Sequence, residues 1–198
     1  MLRKLTVDLA RKKEKEKELA EGQEPPDDMG PTAGILDSQS VSIAATKGPK
    51  GMDANKKVKG HKRHILTDKF GLILGVLITK ASMHDGVVGA ALLGIAVAMY
   101  PTLKFVTGDS VYSCDAVKGA CEKYGVKYEE RKRKEGEKKF IPLPLRWPVE
   151  RTFGWLMWSR QLSKGYDHKE ESLKGWVDLA MSHICLRRLF QKRVAFAS

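Results

Sequence analysis

Between Ala33 and Thr107 the chain strings together short β-branched apolar runs, interrupted once by a stretch of small apolar residues. That order admits few folds. Ala33 to Ile43 reads as a first strand built around Asp37. His64 to Thr67 and Leu72 to Thr79 flank Asp68-Lys69-Phe70-Gly71, the pattern of a hairpin with a glycine in its turn. Asp85 to Met99 is small and apolar and is bounded by Pro101, which predicts a buried helix. Leu103 to Thr107 then gives a fourth strand. Asp115 to Tyr124 is a helix stopped by Gly125, and Val126 to Glu130 is a fifth, charged strand. Pro148 suits the first turn of a helix running to about Arg160. Leu173, Trp176, Val177, Ala180 and Ile184 mark one face of a last amphipathic helix. This order predicts an α/β fold, a mixed five-stranded sheet flanked by helices, with the antiparallel hairpin at one edge.

A length of 198 residues with 42% hydrophobic content supports one core. The expected organisation is a charged helix over 1–21, a linker rich in Pro, Gly and Asp over 22–34, the folded unit over 35–191, and a basic tail over 192–198. The first helix alternates Lys and Glu with opposite charges at i,i+4, so it is expected to face water. The net charge of +12 implies a polyanionic partner, and nucleic acid is the commonest one. No apolar run approaches the roughly 18 residues that span a bilayer, and Met1-Leu2-Arg3-Lys4 lacks a signal core. The expectation is a cytoplasmic protein with no membrane partner. Cys114, Cys121 and Cys185 show no Cys-x-x-Cys spacing and read as reduced core thiols.

Three carboxylates stand out against this frame. Asp37 lies within the first apolar strand, Asp109 follows Phe105-Val106-Thr107-Gly108, and Glu150 opens an apolar helix after Arg146-Trp147-Pro148-Val149. A buried carboxylate is costly unless paired or bound to metal. Oxygen-only donors suit hard divalent cations, and open α/β sheets hold ligands near the carboxyl ends of their strands. Shared divalent ions at such a place suit phosphoryl transfer on nucleic acid.

The chain resembles the catalytic part of DDE transposases of bacterial insertion sequences, of the insertion sequence 5 family, from about Ala33 to Leu189. The resemblance rests on Asp37-Ser38-Gln39-Ser40-Val41, on Lys56-Lys57-Val58-Lys59-Gly60-His61-Lys62-Arg63-His64-Ile65-Leu66, and on Arg146-Trp147-Pro148-Val149-Glu150-Arg151-Thr152-Phe153-Gly154-Trp155-Leu156. Asp109-Ser110-Val111-Tyr112 is a weaker piece. The resemblance implies an RNase H-like fold in which Asp37, Asp109 and Glu150 hold two Mg²⁺ ions, with Mn²⁺ able to substitute. It implies cleavage and strand transfer of an insertion sequence, with transposon ends and target DNA as partners. A homodimer or synaptic oligomer associated with the nucleoid would carry this out. Arg146 matches the family's basic residue ahead of the glutamate. The chain departs from the family at Met157 and Trp158, where a cation is usual and Arg160 is the nearest. It also departs at Ser42, at Glu129-Glu130, and at the front, where only a last helix of the DNA-binding region remains.

Further candidates follow from local chemistry. Lys56, Lys57, Lys59, Lys62 and Arg63 belong to a basic stretch ahead of the hairpin. With Arg146, Arg151 and Arg160 they are expected at DNA phosphates. A second basic cluster spans Lys127 to Lys139. His84 and Asp85 are weighed between supporting the acids from behind and capping the following helix, with Asp85 as the cap. Tyr112 is expected beside Asp109. His61 and His64 read as packing or backbone contacts rather than a metal site. Trp147, Trp155, Trp158 and Trp176 read mainly as core, with one near the helix start able to stack on an unpaired base. Two other functions stay open: a non-catalytic DNA-binding remnant or regulator of a full-length transposase, and a nuclease that cuts without joining.

Overall fold

The computed structural model describes residues 2–20, 30–44, 50–130 and 147–190. Six strands form one sheet: β1 (Ala33–Ser42), β2 (Gly51–Asp53), β3 (Val58–Thr67), β4 (Ile73–Lys80), β5 (Phe105–Gly108) and β6 (Lys127–Glu130). β1 is central, antiparallel to β3 and parallel to β5, which is in turn parallel to β6. β4 pairs antiparallel with the far side of β3. The main order is therefore β4, β3, β1, β5, β6. β2 was not expected. Gly60 has Ser42 on one side and Gly51 on the other, so β2 extends the β4 flank of an unusually long β3. The basic stretch ahead of the hairpin thus follows a short strand and forms the start of β3, while residues 45–49 lie outside the described residues.

The helices are α1 (Leu2–Ala20), α2 (Asp85–Met99), α3 (Asp115–Tyr124), α4 (Trp147–Met157), α5 (Arg160–Ser163) and α6 (Glu170–Phe190). Successive strand side chains alternate between the two faces. Even-numbered residues of β3 face α2, as the Lys62–Asp85 ion pair shows. Odd-numbered residues face α4 and α5, as Arg63 shows by donating to the Leu162 carbonyl and approaching Met157. Ile35, Leu36, Ile65, Leu66, Leu92, Val149, Leu156 and Val177 share one continuous apolar core. The α4 helix stops at Met157 rather than near Arg160, and a separate short turn, α5, follows. All three cysteines are free and at least half-buried, as expected.

The β3–β4 turn is tied from several sides. Asp68 Oδ1 accepts from Phe70 N at 2.9 Å and Leu72 N at 2.8 Å. Gly71 has φ +75°, and a Cβ there would lie 2.7 Å from Thr152 Oγ1 and 2.9 Å from the Pro148 carbonyl. Glycine is needed for both the backbone conformation and the close approach of α4.

The first helix does not face water on all sides. Its Arg3, Thr6, Val7, Ala10, Arg11 and Lys15 are buried against α6 and β4. Arg11 pairs with the fully buried Asp68, Arg3 donates to the Ile73 carbonyl and pairs with Asp178 at 2.6 Å. The physical reason is periodicity: Thr6, Val7 and Ala10 fall on one face, and the long side chains around them carry their charges to acceptors of the core.

Candidate active site

Asp37 lies in the middle of β1, half-buried, and its Oδ1 accepts from Ser38 N at 2.7 Å. In the parallel ladder Ala33 pairs with Phe105 and Ile35 with Thr107. Continuing that register by two residues brings Asp109, just past β5, level with Asp37. By the same alternation both acids belong to the face covered by α4. Asp109 is exposed, its Oδ1 accepts from Val111 N at 3.1 Å, and Tyr128 of β6 donates its hydroxyl to the Asp109 carbonyl at 3.1 Å. The strand end that carries Asp109 is thereby held on two sides.

Tyr112 closes this edge. Its ring is buried between Gly89 and Gly108. Burial first, then the charges of Asp37 and Asp85, with Asp109 contributing less, push its hydroxyl well above the usual tyrosine range. It stays a neutral phenol beside the acids.

Glu150 is exposed in the first turn of α4, the helix that covers the Asp37 face. That turn is moored to the β3–β4 turn: Thr152 Oγ1 donates to the Gly71 carbonyl at 2.6 Å, and Arg151 to the Phe70 carbonyl at 3.0 Å. The mooring lies at the end of the sheet where β1 begins, whereas Asp37 and Asp109 lie further along. Among the described residues, no three His, Cys, Asp or Glu side chains are gathered closely enough to hold a metal ion. By donor chemistry Asp37, Asp109 and Glu150 would suit a hard cation, and α4 carries Glu150 over the sheet face to which the strand register assigns the two aspartates.

The basic residues divide into two groups. Lys56, Lys57 and Lys59 are exposed around the β2–β3 turn, and Lys56 Nζ donates to the Ser38 carbonyl at 2.9 Å, next to Asp37. Arg160 is exposed on α5. Lys62 and Arg63 were expected at DNA phosphates but are buried inside the sheet. Lys62 bridges Asp85 at 2.9 Å and Asp53 at 3.3 Å, and Arg63 is held by Gln39 and the Leu162 carbonyl. Lys62 is neutralised by carboxylates and Arg63 donates to neutral oxygens, because alternation along β3 turns one to α2 and the other to α5. Arg151 is half-buried, bound to Phe70 and stacked on Trp155. Arg146 and the residues 131–139 of the second basic cluster lie outside the described residues.

His84, not Asp85, caps α2: its Nδ1 accepts from Gly86 N at 3.2 Å. Asp85 instead meets Lys62 and lies 3.7 Å from His64 Nδ1. His61 and His64 are core residues with no exposure. Sequence reasoning missed Asp53 and Ser40. Burial pushes the Asp53 carboxyl up, but hydrogen bonds from Ser40, Lys56 N and Lys62 outweigh it and hold the group at about 2. Asp53 therefore anchors the cationic turn to β1 behind Asp37. Its signal was present in Asp53-Ala54-Asn55, an acid able to accept from the backbone two and three residues on.

A central β1 flanked by antiparallel β3 and parallel β5, with acids level at the carboxyl end of the parallel pair, is the arrangement of RNase H-like proteins. The family model described as the transposase DDE domain matches residues 28–171. The chain belongs to that family, and Asp37, Asp109 and Glu150 all fall within the match. No curated protein sequence matches the chain. Among solved structures it is similar to the HTLV-2 integrase catalytic core domain in complex with magnesium, in its trimeric form. The identity is 14%, over 76% of this chain and 83% of that one, with a TM-score of 0.47. Among the described residues no helix is long and apolar enough to cross a membrane.

Proposed function

We propose that this chain is the catalytic part of a transposase of an insertion sequence, of the insertion sequence 5 family, which cuts DNA at the element's ends and joins them to target DNA. The observation that supports this reading is the family match over residues 28–171, which contains all three acids, together with a β1–β5 register whose continuation by two residues would set Asp109 opposite Asp37. Asp37 and Asp109 would hold divalent cations, Mg²⁺ or Mn²⁺, and Glu150 would complete the set. Two such ions, when bound, supply a nucleophilic oxygen at neutral pH and neutralise charge on the leaving oxygen.

The protein's own groups orient and hold. Ser38 N donates to one oxygen of Asp37 and so orients its carboxylate. Tyr112 stays protonated and adds no negative charge to the site. Lys56, Lys57, Lys59 and Arg160 offer exposed cations to the DNA backbone, which positions a duplex without reading its sequence. Asp53, Lys62 and Asp85 support this face from behind. We assign the working assembly to a homodimer or larger synaptic complex on nucleoid DNA.

That no group of three potential metal ligands is gathered among the described residues favours a second reading, a DNA-binding remnant or regulator without activity. Nicking of supercoiled DNA in Mg²⁺ or Mn²⁺ separates the two. Wild type is expected to nick and Asp109→Asn to lose at least about 100-fold of the rate, as loss of a metal ligand should. Joined strand-transfer product distinguishes a transposase from a nuclease. Equal inertness of both proteins, with DNA binding intact, establishes the non-catalytic reading.

A further inference from the structure

The end of α4 and the middle of α6 enclose an open groove of about 710 Å³, lined in part by Trp155, Trp158, Trp176, His183, Arg187 and Arg188. The tryptophans were expected in the core, yet Trp158 is 83% exposed and Trp176 37%. Trp155 is fixed between two guanidinium groups, Arg151 at 4.7 Å and Arg188 at 4.5 Å from its ring centre. No carboxylate is among the described lining residues.

This combination selects among occupants. Arg188 already donates to the Phe70 carbonyl, but an apolar protein segment would satisfy the indoles and leave the exposed Arg187 without counter-charge. A second copy of the chain would bring further positive charge to a molecule already at +12. A DNA strand with unpaired bases satisfies both, because bases stack on indole faces while phosphates meet guanidinium groups. We propose that this groove binds unpaired DNA, holding a single-stranded segment that leads away from the acids. The proposal rests on the DNA-processing reading above. Trp158 comes directly after α4, about two turns on from Glu150, so the groove continues the element that carries this acid.

Tryptophan fluorescence of the full chain, titrated in EDTA with oligothymidylate and separately with a duplex of equal length, tests this. Oligothymidylate is expected to quench the emission. Trp158→Ala and Arg187→Ala should each weaken single-strand binding about tenfold and duplex binding less than about twofold. Both side chains are exposed, and melting curves matching wild type confirm intact folds. Unchanged affinity, or equal losses on single strand and duplex, overturns the proposal. So does a wild-type dimer that Trp158→Ala dissociates, which would make the groove a contact between copies. Asp109→Asn should keep the quenching. Quenching without any wild-type nicking leaves the groove standing and removes the catalytic reading, whereas nicking without quenching does the reverse.

Discussion

His61 and His64 are wholly buried in β3, and burial holds both imidazoles down at about 4. In the unfolded chain they titrate near 6.5. Between those values the unfolded state binds more protons than the native one, so stability rises with pH across that window and is lost on acidification. Each histidine contributes a slope of up to about 1.4 kcal/mol per pH unit. The melting temperature is expected to fall by several degrees from pH 7 to pH 4.5, and a flat profile there contradicts the assignment. Asp53, held at about 2, acts in the same direction only below its unfolded value near 3.8, outside this window. The sequence showed these histidines as neighbours of cations. Their burial needed the length of β3, which pairs on both sides along most of its course.

Most strands and helices were legible because period-two apolar runs and helix stops act locally: Asp68 to Gly71 marked the hairpin and Gly125 ended α3. What escaped depended on partners far along the chain. β2 is three residues long and exists only because β3 extends past β4 to receive it. The buried face of α1 was hidden by alternating charge, and its key partner, Asp68, lies 57 residues away. Burial pushes the Asp68 carboxyl up, and Arg11 with the Leu72 and Phe70 amides opposes this. Removing Arg11 leaves a buried acid without its cation. Arg11→Ala is expected to destabilise the protein by about 3–5 kcal/mol in denaturant unfolding. A loss under about 1 kcal/mol would mean that α1 is the loosely attached, water-facing helix its composition suggested.

At the scale of the molecule, the proposed function rests on the net charge of +12 and on three acids far apart in the chain. The register of β1 on β5, continued by two residues, sets Asp109 opposite Asp37, which no local pattern foretold. Glu150 could be named from its motif but not placed, since α4 is positioned by Thr152 and Arg151 on the distant β3–β4 turn. The same packing withdrew Lys62 and Arg63 from the cationic surface and left Lys56, Lys57 and Lys59 to serve it. The account stands on Asp37 and Asp109 sharing a divalent cation. Electron paramagnetic resonance titration with Mn²⁺ reads that sharing without DNA or turnover. Wild type is expected to bind Mn²⁺, Asp37→Asn and Asp109→Asn each to weaken it at least about tenfold, and Glu150→Gln to weaken it less. Equal Mn²⁺ affinity in wild type and both aspartate variants would contradict the account.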